Sequence, residues 1–394
     1  MSFLNKILDG ATVEWKPLGE VSQINRGRRV TKNELSHDKQ YPVYSGGVTP
    51  MGYFEKFNQD ENTITIVKYG TAGFINFITE KFWANDVCYC IKPSSKLDNK
   101  FLYYVLKNNQ DYINSLATDA IPAHLPTESI NNFLIPIPCP NNPKKSLEIQ
   151  QKIVAILDSF TELTAELTAE LTARQKQYQF YREQLFYFDK NNVQHLPMGD
   201  ESIGKFIRGG GLQKKDFTET GVGCIHYGQL YTYYGTYTDN TKSFVSEEFA
   251  KKARMAKHGD LVIATTSEND EDVCKAVAWL GDEEIAVSSD ACFYSHNLNP
   301  KYVAYFFQTE QFQKQKRPFI TGTKVRRVNA DDLAKIKIPV PSKEEQDRIA
   351  TILDKFDTLT NSISEGLPKE IALRKKQYEY YRDMLLTFPK DNLE

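Results

Sequence analysis

The sequence predicts an α+β fold: two mixed α/β globules separated by a long antiparallel two-helix coiled coil, with an internal pseudo-two-fold repeat. Three observations predict it. Two sequence blocks recur in the same order about 195 residues apart, a β-rich stretch precedes each pair, and an apolar stripe spaced three and four apart runs too far for one globule to bury.

The repeat is read directly. Gln150-Gln151-Lys152-Ile153-Val154-Ala155-Ile156-Leu157-Asp158 returns as Gln346-Asp347-Arg348-Ile349-Ala350-Thr351-Ile352-Leu353-Asp354, and Arg174-Gln175-Lys176-Gln177-Tyr178-Gln179-Phe180-Tyr181-Arg182 returns as Arg374-Lys375-Lys376-Gln377-Tyr378-Glu379-Tyr380-Tyr381-Arg382. Shorter anchors match too: Pro17-Leu18-Gly19 with Pro197-Met198-Gly199, Arg26-Gly27 with Arg208-Gly209, and Ile135-Pro136-Ile137-Pro138 with Ile338-Pro339-Val340-Pro341. These anchors divide the chain into a first globule (1–140), a first helix (141–193), a second globule (194–341) and a second helix (342–394).

In the first globule, β-type runs such as Ile64-Thr65-Ile66-Val67 and Val87-Cys88-Tyr89-Cys90-Ile91 alternate with Gly, Asn and Asp turns, and one helical stretch runs from Lys100 to Asn109. Pro136 to Pro143 ends that globule and launches the first helix, whose apolar stripe runs Ile149, Ile153, Ile156, Phe160, Leu163, Leu167, Leu171, Tyr178, Tyr181, Leu185 and Phe188. The rod is about 43 residues and about 64 Å long. The second globule repeats the pattern with Leu261-Val262-Ile263-Ala264 and a helix from Lys301 to Gln308. Its exit, Ser342-Lys343-Glu344-Glu345, reads as a capping box in which hydroxyl and carboxylate each take an orphan amide. The second stripe follows at Ile349, Ile352, Phe356, Leu359, Ile363, Ile371, Tyr378, Tyr381, Leu385 and Phe388, and Pro368 is expected to break or kink it at Leu367.

Composition excludes several classes. The 394 residues carry 49 Lys plus Arg against 51 Asp plus Glu, a formal net charge of −2, which argues against coating nucleic acid by bulk charge. No apolar run approaches the length of a membrane span, so a cytoplasmic protein is expected. The six cysteines lack a CxxC pair and read as reduced core thiols, without a metal site or disulfide framework. Neither a phosphate-binding motor loop, nor an Asn-Pro-Pro-aromatic run, nor a nucleophile motif is present; no catalytic residues and no cofactor are expected.

The paired helical blocks and the divergent β-rich globules resemble the DNA-specificity subunits of type I restriction-modification enzymes, over essentially the whole chain. The resemblance implies that the globules are target-recognition domains, each reading half of a split double-stranded DNA site. It also implies that the helices space them and dock two methyltransferase subunits, with cleavage left to a separate motor and nuclease subunit. Unequal globules on a repeated scaffold then predict an asymmetric site. A stand-alone DNA-binding regulator or a coiled-coil scaffold is the competing class, and co-purification with a methyltransferase separates them.

Reading DNA needs Arg and Lys for phosphates and guanine. The first globule offers Arg26, Arg28, Arg29 and Lys32; the second offers Arg208, Lys214 and Lys215, with Lys205, at the matching place. The densest cluster is Lys314, Lys316, Arg317, Lys324, Arg326 and Arg327, a run without a carboxylate, and His124 aligns near Arg327 in the first copy. Tyr44 with Ser45-Gly46-Gly47, opposite Ile225-His226-Tyr227-Gly228, is a weaker candidate. Solvated turns and a structural histidine are the bland alternatives. In the first helix the unit Thr-Ala-Glu-Leu occurs twice, at Thr164 to Leu167 and Thr168 to Leu171. Each unit adds about 6 Å and about 40° of rotation, so its copy number is expected to set the gap between half-sites.

Overall fold

The computed structural model describes residues 3–189, 191–362 and 364–390. The chain packs as two compact units that do not follow its linear order. One comprises the residues up to 167 together with those from 371 onward, and the other comprises residues 168–370. Each unit is therefore one globule with parts of both long helices.

In the first unit a four-stranded antiparallel sheet runs in the order Ser22–Arg26, Cys88–Pro93, Thr63–Val67, Ile75–Ile78. Its central strand is buried almost throughout because the sheet is covered on both faces. The helix Asn99–Asn108 lays Phe101, Leu102, Val105 and Leu106 into the main core, while Phe82, Ala84, Cys88 and Cys90 form a second cluster. Entry and exit strands, Val13–Pro17 and Leu134–Pro138, pair antiparallel and close the globule.

The second unit repeats this plan. Gly204–Arg208, Ala291–His296, Leu261–Ala264 and Ala276–Trp279 follow in the same order, with Tyr237–Thr238 added in parallel at the edge, and Gln194–Pro197 closes on Lys337–Val340. The weak anchors hold to the atom: Leu18 N donates to Phe133 O and Met198 N donates to Ile336 O, both at 2.8 Å.

The first long helix is continuous from Pro143 to Leu185, 43 residues. Asn142 caps it, its Oδ1 accepting from Lys145 N (3.1 Å), with Pro143 placed where an amide would be orphaned anyway. At the second helix Ser342 Oγ accepts from Glu345 N as expected, but the Glu345 carboxylate takes Arg348 instead of completing the box. That rod is two helices, Lys343–Asn361 and Gly366–Leu386. The expected break at Leu367 is corrected: the chain leaves the helix at Ser362, and Leu367 is helical and buried. Pro368 sits in the first turn, where its missing N–H is harmless. Gly366 has φ +72°, and a Cβ there would lie 2.4 Å from Thr358 O, so only glycine turns the chain back so closely. Ile363 lies outside the described residues.

The long helices run antiparallel. In the first unit Phe160 stacks on Tyr381 (5.1 Å between centroids), and in the second Tyr178 and Tyr181 stack on Phe356 (6.0 and 5.6 Å). The repeated Thr-Ala-Glu-Leu stretch is continuous helix in which Thr164, Leu167 and Leu171 are half-buried and Thr168 is exposed.

Residues 385–389 complete the first globule's core. Leu385 and Phe388 are buried, Phe388 packs edge-on against Phe101 (5.9 Å), and Trp15 Nε1 donates to Pro389 O (2.9 Å). Phe388→Ala is expected to cost about 3–5 kcal/mol, the usual range for emptying a buried aromatic site. Chemical denaturation checks this, and a loss below about 1 kcal/mol would show that the tail is an ornament.

Candidate nucleic-acid interface

In both globules the sheet's edge strand delivers a basic loop across a glycine. After Ser22–Arg26, Gly27 N donates to Cys88 O (3.1 Å) and Arg28 N to Ala84 O (2.9 Å); after Gly204–Arg208, Gly209 N donates to Ala291 O (2.9 Å) and Gly210 N to Val287 O (2.8 Å). A Cβ at Gly27 would lie 2.2 Å from Ala84 O, and one at Gly209 would lie 2.0 Å from Ser288 O. These close approaches hold Arg26, Arg28, Arg29 and Lys32 on one loop and Arg208, Lys214 and Lys215 on the other, all exposed, as is Lys205. Both loops continue into a 3-10 turn with its own capping box, Thr31 with Glu34 and Gln213 with Asp216.

Further loops meet the same rim. In the first unit Asn85 N donates to Tyr44 O (2.9 Å), Thr71 N to Gly46 O (2.9 Å), and Tyr69 stacks on His124 (4.8 Å). Asn85 is buried and organises the basic loop, accepting from Val30 N (3.2 Å) and donating to Val30 O (3.1 Å). Ser288 holds the equivalent place, its N donating to Ile225 O (3.2 Å) and its Oγ accepting from Tyr227 N (2.9 Å).

The equivalence of His124 and Arg327 is exact in backbone terms. Thr118 N donates to His124 O (2.8 Å) as Thr321 N does to Arg327 O (2.9 Å), and Leu125 N donates to Lys68 O as Val328 N does to Thr265 O. Two different side chains are thus held at one scaffold position. Arg327 is exposed and shares a groove of about 570 Å3 with Arg208, Thr266, Asn329 and Lys335, beside Asp290, Asp331 and Asp332.

The sequence twice matches the family described as type I restriction modification DNA specificity domain, at residues 11–174 and 201–373. The chain belongs to this family. It is 35% identical over 403 residues to the specificity subunit of an Escherichia coli type I restriction enzyme, covering 99% of this chain and 98% of that one. A putative type I restriction enzyme specificity subunit of Haemophilus influenzae is 33% identical, covering 98% of each. Among solved structures, the type I S subunit from M. genitalium superposes with a TM-score of 0.61 at 17% identity, covering 97% of each chain, which shows the shared fold.

Within this specificity-subunit scaffold, one member of the densest cationic cluster requires correction, and two others are held in surface ion pairs. Lys316 is fully buried, its Nζ donating to Glu271 O (3.1 Å) and Val273 O (2.8 Å), so it is a core tie and not a DNA contact. Arg326 faces Asp270, with Nε–Oδ1 at 2.6 Å and Nη2–Oδ2 at 3.2 Å, so its guanidinium is occupied. Arg317 pairs with Glu310 (3.3 Å). The run lacks carboxylates only in sequence; folding brings Asp270 in from another loop. Lys314 and Lys324 remain exposed.

His226 is a cap: its Nδ1 accepts from Gly228 N (3.2 Å), and burial, with Lys214 nearby, pushes its pKa down, so it is a neutral acceptor. Two contributors of this specificity domain were missed in sequence. Arg254, exposed, donates from Nη1 to Arg208 O (2.8 Å) and adds charge beside that loop, although it is 46 residues away. Asn85 carried no local signal at all. Gly27→Ala and Gly209→Ala are each expected to weaken recognition of one half-site by at least about tenfold with the other unchanged. Band-shift titration with single half-site mutants measures it; equal loss at both would contradict independent loops.

Proposed function

We propose that this chain is the reader and spacer of a type I restriction-modification complex, each globule recognising one half of an asymmetric bipartite DNA site. The observation that carries the reading is the repeated glycine-pivoted basic loop, presented by matched scaffolds with unlike side chains at matched positions. Matched scaffolds give one docking geometry, and unlike contents give different sequences. The first globule (residues 11–140) carries 13 basic and 13 acidic residues and the second (196–341) 19 and 19. Positive charge is therefore concentrated by loop placement, which suits reading a site more than coating a duplex.

The long helices serve as the ruler, with Thr164, Leu167, Thr168 and Leu171 inside the length-setting repeat. They also present the docking surface for two methyltransferase subunits, through which motor and nuclease subunits join; the chain itself contributes no catalysis and needs no cofactor. Phe180 and Tyr380 support two equivalent docking sites: they occupy the same place in the repeated block, each touches only the edge of the next tyrosine ring (5.5 Å) among the described aromatic contacts, and they remain 59% and 65% exposed. Phe180→Ala with Tyr380→Ala is expected to lower methyltransferase retention by at least about 100-fold, as aromatic anchors do, while thermal stability is unchanged. Pull-down with tagged chain tests it.

Methylome sequencing of cells expressing the chain with its partner subunits tests the whole reading. One split motif with unequal halves and a constant gap is expected. Tight binding of a single continuous site by the chain alone, with no methyltransferase recruited, would favour a stand-alone regulator.

A further inference from the structure

Each globule is fastened to its long helix by the same two-point polar clamp. In the first unit Gln150 is fully buried; its Oε1 accepts from Asp98 N (2.7 Å), at the start of the helix Asn99–Asn108, and its Nε2 donates to Lys96 O (3.3 Å). Further along, Asp158 accepts from Lys100 Nζ at Oδ2 (2.6 Å) and from Tyr104 OH at Oδ1 (2.6 Å). The second unit repeats three of these four contacts to about a tenth of an ångström, while Gln346 Nε2 turns to Pro341 O (2.9 Å) at the start of its own helix. Gln346 Oε1 accepts from Asn299 N (2.8 Å), and Asp354 accepts from Lys301 Nζ (2.6 Å) and Tyr305 OH (2.7 Å).

The duplication is selective. Around these groups the globules differ in strand number and loop content, and even the cap changes from Asp98 to Asn299, yet the Gln, the Asp, the Lys and the Tyr recur. The surrounding apolar seam, Ile153 and Leu157 in one unit and Ile349 and Leu353 in the other, supplies attraction without direction. Apolar helix faces slide and roll over one another at little cost, whereas a buried hydrogen-bonded group has one register in which it is satisfied. Two hydrogen-bonded points on one helix, the Gln buried and the Asp half-buried, about two turns and about 12 Å apart, define both axial position and roll.

We propose that Gln150 with Asp158, and Gln346 with Asp354, are positioning residues that set the height and angular phase of each recognition globule on its helix, and thereby the gap at which both half-sites are engaged. This rests on the bipartite reading above. The helix then counts residues as length only because the joint at each globule does not slip.

The experiment uses the full chain in complex with its methyltransferase subunits, acting on a plasmid library in which the two half-sites are separated by every gap from two base pairs short to two base pairs long. Wild type is expected to discriminate by about 100-fold against gaps wrong by one base pair, since a misplacement of ångströms carries that penalty. Lys301→Met with Tyr305→Phe should reduce this discrimination to about tenfold while leaving the half-site sequences unchanged, and Lys301→Arg, which keeps the ion pair, should retain it. If the double variant keeps the wild-type discrimination and only the amount of methylation falls, the clamp is a stabilising contact and the proposal is overturned. Should the double variant fail to fold, Tyr305→Phe alone, which removes one hydroxyl, is judged by the same two outcomes. A wild-type complex with no fixed gap would overturn the bipartite reading itself, a result distinct from a clamp that proves dispensable.

Discussion

Arg327→Ala is expected to remove recognition of one half-site and spare the other. Arg327 lies on the short strand Arg326–Arg327, hydrogen-bonded to Thr321 in both directions (2.9 Å each) and opposite Thr266, so its backbone is fixed while its side chain opens to the groove shared with Arg208. A fixed backbone with a free guanidinium is the arrangement that discriminates bases, since little ordering remains to be done on binding. The loss should be about 1–3 kcal/mol in DNA binding, confined to one half of the motif. Binding measured against oligonucleotides altered at one half-site decides it; a uniform loss across sequences would make Arg327 a phosphate contact. Lys316→Met is the matching control. The buried Val273 carbonyl and the part-buried Glu271 carbonyl would lose their donor, so it should cost about 1–3 kcal/mol of folding stability with the motif unchanged.

Deleting Thr168 to Leu171 is expected to move the recognised gap by one or two base pairs while both half-site sequences persist. The segment is exposed to half-buried and lies inside the uninterrupted helix Pro143–Leu185. Its removal shortens the rod by about 6 Å and turns its far end by about 40°, against about 3.4 Å of rise per base pair. The seam tolerates this because Leu167 takes the place of Leu171 when four residues are lost. Methylome sequencing reads the gap directly, and an unchanged gap would show that rod length is not the ruler.

Much of the candidate site's scaffold was legible because it rests on local signals. The Arg-Gly pairs 26–27 and 208–209 mark backbone that no side chain can enter, and the basic loops follow immediately. Lys316 was misplaced although a signal existed: Phe312 and Lys316 are four apart on the helix Glu310–Lys316 and share its buried face. Arg326 and Arg327 were treated alike, but neighbours on a strand point to opposite faces, so one meets Asp270 and the other the groove. Asp270, Arg254 and Asn85 reach the candidate interface from 46 to 56 residues away, where composition carries no distance information.

By itself the sequence determined the duplication, the long helices and the basic loops, because repeats, periodicity and glycine constraints are properties of neighbours along the chain. Only the tertiary structure decided which cations are ion-paired or buried, where the second rod breaks, and that residues 385–389 complete the first globule's core. Those outcomes depend on which carboxylate, carbonyl or apolar face arrives from a distant segment, and burial is decided by such arrivals.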